Sequence, residues 1–75
     1  MRLPPQNLEA EQSILGGLML ERESYDQVGD LISVEDFYSP ANQKIYQAIL
    51  DLNSKSRPID LVTVTDALRS RNEFD

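Results

Sequence analysis

Apolar residues recur at helical spacing in four stretches of the chain. In "LEAEQSILGGLML", residues 8–20, Leu8, Ile14, Leu15, Leu18 and Met19 fall on one stripe of a 3.6-residue helix. Asn7 is a good N-cap for it, and Glu9 and Glu11 sit in its first turns, where carboxylates favour the helix dipole. This predicts a helix over about 8–20. A shorter one is expected over about 22–32, where Tyr25, Val28 and Ile32 stand at i, i+3 and i+7 with Leu31 alongside. Ser33 offers a hydroxyl cap with Asp36 three residues on, a weaker form of the Ser-x-x-Glu box. "SVEDFY" therefore reads as a single turn, with Phe37 plugging the core.

Ser39-Pro40 is the clearest helix start: a hydroxyl N-cap followed by proline at the first helical position. Ala41, Ile45, Ala48, Ile49 and Leu52 follow at helical spacing and predict a helix over about 40–53. "NSKSRP" is a polar loop whose Pro58 blocks continuation. Asp60 then caps a last helix, about 61–71, with Leu61, Val64 and Leu68 inward. Val62, Thr63 and Thr65 lower its intrinsic propensity, so it depends on packing. No alternating pattern of useful length suggests a strand. Residues 1–7 form an extended lead-in, since Pro4 and Pro5 resist helix. The expected fold is all-α: a small helical bundle of four main helices within residues 8–75.

Two features break the pattern of the first helix. Glu11 lies on the wheel between Leu8, Leu15 and Leu18, inside the apolar stripe. It is read first as an acid bonding exposed N–H groups near a helix N-terminus, and second as a charge facing a neighbouring subunit or partner. A catalytic role ranks last, because no motif places a second acid to work with it. The second feature is the pair Gly16-Gly17, which costs the helix roughly 1 kcal/mol per glycine relative to alanine. Nothing of the form Gly-Lys-Ser/Thr follows, so the pair is no phosphate loop, and Lys55-Ser56 has no glycine near it. A membrane face fails on length and on the flanking acids. The reading left is a thinned helix face that lets a neighbour pack close. Glu11, Gly16 and Gly17 are thus the candidate subunit or partner contacts.

Composition narrows the chemistry. With 75 residues there is room for one domain, and a chain of this size buries only about 60% of its unfolded surface. No cysteine and no histidine are present, which excludes disulfides, thiolate or imidazole metal sites and the Ser-His-Asp and Cys-His arrangements. No catalytic, cofactor-binding or metal residue is assigned. No segment reaches the roughly 20 apolar residues of a membrane span, and no signal peptide stands at the N-terminus.

The net charge of −6 is unevenly placed. Residues 8–36 hold Glu9, Glu11, Glu21, Glu23, Asp26, Asp30, Glu35 and Asp36 against Arg22 alone. That half repels phosphate and suits a basic or protein partner. The C-terminal third, with Lys55, Arg57, Arg69 and Arg71, is less hostile, which keeps a helical nucleic-acid-binding domain as an alternative. The link from Asn53 to Asp60 is about twice the 3–4 residues of a helix-turn-helix turn. An acyl-carrier-like module is a further alternative. Such domains carry a prosthetic group on serine in an Asp-Ser-Leu/Ile context, and Ser13 and Ser24 stand in other contexts.

"LPPQNLEAEQSILGGLML", "VEDFYSPANQKIYQAI" and "PIDLVTVTDAL", in this order and spacing, together resemble the N-terminal domain of DnaB-type replicative helicases. The resemblance implies a small helical bundle followed by a helical hairpin, with the domains forming a collar on a hexameric helicase. It implies docking of a primase C-terminal domain and of a loader or initiator protein, in the bacterial cytoplasm. ATP and Mg, hydrolysis and most DNA contact would belong to a separate C-terminal domain. Family members continue beyond a point like "RNEFD" with a Gly-Gly segment and the hairpin, so the chain is expected to be the globular head of the collar, cut short. No catalytic residue carries over.

Overall fold

In the computed structural model, residues 7–21, 25–26, 29 and 31–71 are described. Helix α1 spans Leu8–Leu20, and Asn7 caps it by accepting the Ala10 N–H at 2.9 Å. A single 3-10 turn covers Val34–Asp36. Helix α2 spans Pro40–Ser54, with Ser39 as its N-cap and proline in its first turn. Helix α3 spans Leu61–Ser70. The described residues are thus all-helical, and α2 is the central element, packed against α1, the 3-10 turn and α3.

The expected helix over 22–32 lies largely outside the described residues. Tyr25 and Asp26 are helical, and the Gly29 N–H closes one turn on the Tyr25 carbonyl at 2.7 Å. Leu31 and Ile32, expected inside that helix, lie beyond it. Ile32 is nonetheless core, held beside Tyr46, whose hydroxyl donates to the Ile32 carbonyl at 2.7 Å. The "SVEDFY" turn forms as expected, and Asp36 reaches back to accept the Ser33 N–H at 2.8 Å. Phe37 is buried, its ring centroid 5.0 Å from that of Tyr46. This tilted aromatic pair sits at the centre of the core, which also takes Leu15, Leu18, Ile49, Leu52, Ile59, Val64 and Leu68.

Some positions within correct helices face otherwise than expected. Ala41 is exposed, and Asn42 turns inward in its place. Leu8, the first residue of α1, is exposed. Leu61, expected inward, is 71% exposed. The physical reason is the entry of α3: Ile59, just before the Asp60 N-cap, is buried together with Val64 at the fourth helical position. That is the arrangement of a hydrophobic staple, which leaves the first turn outside.

Helix α2 ends in a Schellman turn. The Arg57 N–H bonds the Leu52 carbonyl at 2.9 Å and the Ser56 N–H bonds the Asn53 carbonyl at 3.0 Å. Ser56 takes the left-handed conformation this turn needs, with φ 56°.

Candidate functional site

Glu11 has no exposed surface. Its carboxylate accepts the Tyr38 N–H at 2.7 Å, the Ser39 N–H at 3.4 Å and the Asn42 side-chain amide at 2.9 Å. It does bond helix N-terminal N–H groups, but those at the entry of α2 rather than of its own helix. Ser39 also caps α2 from within, its hydroxyl accepting the Asn42 N–H at 3.3 Å. Gln43 adds a further tie, donating to the Phe37 carbonyl at 2.7 Å. One carboxylate from α1 therefore fixes where α2 begins. The positive end of the α2 dipole adds to its attraction for this charge.

Burial pushes the Glu11 carboxyl up, but the Asn42 amide and then the Tyr38 and Ser39 N–H groups outweigh it. The net effect holds the group below its ordinary value, so it is a carboxylate at neutral pH. The expectation of Glu11 as a subunit or partner contact is therefore corrected. A side chain with no exposed surface, its oxygens engaged by donors of its own chain, meets no second molecule. The same burial closes it to a substrate.

Sequence reasoning found Glu11 but missed Asn42, Tyr38 and Ser39 as its partners. The signal was a second polar residue, Asn42, on the inward side of α2. Two polar side chains on facing apolar stripes satisfy each other or pay the cost of burial alone.

Gly16 and Gly17 are half-buried on α1. A Cβ built at either meets nothing within 4 Å among the described residues. Among the described residues the thinning of the helix therefore serves no close approach. Glu9, Gln12, Ser13 and Leu20 are exposed on the same helix, and Leu20 is 86% exposed. Ser13, weighed above as a carrier serine, lies inside α1, and Ser24 lies outside the described residues.

The charge asymmetry also takes shape. Arg71, the C-cap of α3, pairs with Asp51 of α2 at 3.1 Å. Lys55 and Arg57 lie exposed at the end of α2. Among the described residues no helix is long and apolar enough to cross a membrane.

With this geometry in view, the comparisons with known proteins are decisive. The sequence matches the DnaB-like helicase N terminal domain family over residues 3–75. The chain belongs to that family. A replicative DNA helicase DnaB from Synechocystis is 44% identical over 73 residues, covering 97% of this chain and 8% of the relative. The replicative DNA helicase DnaC of Bacillus subtilis is 46% identical over 67 residues, covering 89% of this chain and 15% of the relative. The crystal structure of the N-terminal domain of DnaB helicase from Mycobacterium tuberculosis superposes with a TM-score of 0.87 at 46% identity. It matches 93% of this chain, which covers 50% of that one. This DnaB-like chain thus spans a small fraction of the length of the curated helicases it matches, and half of the solved domain.

Proposed function

We propose that this chain is a non-catalytic assembly and docking domain of a replicative DNA helicase. In this reading ATP and Mg are bound, and DNA is unwound at the replication fork, by a separate domain of the parent protein. The domain supports the hexameric ring, and offers a surface to a primase C-terminal domain and to a loader or initiator, in the bacterial cytoplasm.

The observation that carries the reading is the outer face of α1. Two glycines in mid-helix forgo roughly 1 kcal/mol each relative to alanine. No contact among the described residues offsets that loss, because the space beside both is open. Leu20, 86% exposed, stands one turn further on. A helix thinned by two glycines, with an exposed leucine one turn on, suits close approach by a second molecule. The interior supports the same reading: Glu11, the one buried carboxylate among the described residues, is consumed in holding α1 to α2.

The test uses the parent helicase and the 75-residue chain side by side. The parent is expected to form a ring in sedimentation and to bind a primase C-terminal domain in titration. The 75-residue chain alone is expected to hydrolyse no ATP. A parent protein that neither self-associates nor binds primase, or an isolated chain that turns over ATP, would overturn the proposal.

A further inference from the structure

We propose that the cleft between the C-terminal ends of α2 and α3 is a phosphate-binding site. The cleft holds about 120 Å³ and is lined by Asp51, Lys55, Arg57, Ser70 and Arg71, with Leu52 and Ala67 as its apolar wall. Its cations come from three places in the chain: Lys55 is the C-cap of α2, Arg71 the C-cap of α3, and Arg57 follows the left-handed Ser56. The Schellman turn brings Arg57 back beside Leu52, whose carbonyl its N–H bonds at 2.9 Å.

The balance of charge in the cleft favours an anion. Against it stand the negative ends of two helices, worth about half a charge each, and the carboxylate of Asp51. Arg71 already neutralises Asp51 at 3.1 Å. The carbonyls of Leu52 and Asn53 are taken up by backbone donors, which weakens the α2 end as a source of negative potential. Lys55 and Arg57 have no carboxylate partner among the described residues, and their two charges exceed what is left opposing them. Among the described lining residues the cleft is thus net positive, on a chain whose overall charge is −6.

Size and donor geometry select the ligand. A space of 120 Å³ admits about four waters, or one tetrahedral oxyanion of similar bulk. Arginine presents a planar fork of N–H donors that matches phosphate oxygens, lysine adds a point charge, and the Ser70 hydroxyl supplies a neutral donor. The chemistry is that of a phosphate group, whether on a free polyphosphate or on a single-stranded nucleic-acid backbone. This site lies on α2 and α3, and it does not depend on the docking role proposed for α1.

Amide chemical shifts of the 75-residue chain, followed in a phosphate-free buffer, test this directly. The probes are inorganic phosphate, pyrophosphate and a thymidine oligonucleotide, with sodium chloride at matched ionic strength as reference. Saturable shifts are expected at Asn53–Arg57 and Ala67–Arg71. Lys55→Gln and Arg57→Gln are each expected to weaken binding about threefold to fivefold, the worth of one exposed charge pair. Asp51→Asn removes the cleft's carboxylate and is expected to strengthen it by a similar factor. Opposite signs separate charge recognition from a general loosening of the fold, and circular dichroism of each variant confirms that the helices persist. Tighter binding of the oligonucleotide than of pyrophosphate identifies a strand as the ligand, and the reverse order identifies a free polyphosphate. Shifts that sodium chloride reproduces, or no saturable shifts with any of the three probes, would overturn the proposal. So would Asp51→Asn and Arg57→Gln moving affinity in the same direction.

Discussion

Replacing Glu11 by glutamine keeps its shape and removes its charge. The new amide then sets an N–H against either the Tyr38 N–H or the Asn42 amide, because all the groups around Glu11 in this structure are donors. A hydrogen bond to a charged group is worth roughly 1.5–3 kcal/mol, and a buried donor left unmatched costs a similar amount. Glu11→Gln is therefore expected to destabilise the fold by about 2–3 kcal/mol in urea unfolding. The total for a domain of this size is only some 4–11 kcal/mol. The pH dependence has a definite sign. The folded carboxyl titrates below its ordinary value of 4.5, so its contribution is complete above that value and is lost as pH falls through the folded pKa. The wild-type chain should lose stability below about pH 4.5, and its margin over Glu11→Gln should shrink there. An unchanged margin from neutral to acid pH would show that the carboxylate is not the stabilising form. At this scale the sequence made Glu11 conspicuous, since a charge on an apolar stripe is visible on a wheel. Its partners were not legible, because contacts between residues 11 and 42 follow from how two helices meet.

Local chemistry explains why the elements were read more reliably than their partners. α1 runs over the residues that Asn7 and the apolar stripe predicted, and Ser39-Pro40 starts α2 where it should. Caps and periodicity act within a few residues, so a sequence displays them whole. α3 was legible for the same reason: Asp60 accepts the Thr63 N–H at 2.9 Å, and Thr63 returns the bond by accepting the Asp60 N–H at 2.9 Å. This reciprocal cap compensates for the β-branched residues that weaken the helix. Asp60→Ala is expected to cost about 1 kcal/mol, read as a fall in Tm of about 4–8 °C. A change of under 1 °C would mean that the staple of Ile59 and Val64 alone holds the entry. Facing was less legible at helix ends. Leu61 was assigned inward on periodicity, but Ile59 outside the helix fills that space, and no periodic rule covers a residue before the cap. The region 22–32 carried the weakest signal, four apolar positions with no N-cap, and its described residues show one helical turn rather than a helix through Ile32.

For the whole molecule, the division of labour follows from where the polar groups are spent. The carboxylate in the core holds α1 to α2 and is closed to solvent, while α1 presents glycines and a leucine to open space. Family membership was legible from three blocks of sequence in register, and the fold agrees with a solved DnaB N-terminal domain over 93% of this chain. The face proposed to meet a partner was legible only in outline: the glycine pair was visible, but the open space beside it among the described residues needed the structure. The Gly16→Ala/Gly17→Ala variant of the parent helicase separates the two roles a helix face can have. Neither new methyl meets a neighbour within 4 Å among the described residues, so the domain itself is expected to gain up to about 1 kcal/mol per site in thermal unfolding. If α1 is an assembly face, sedimentation of the same variant will show ring formation weakened by tenfold or more. A variant that melts higher and assembles as well as the wild type would contradict the proposed role of this face.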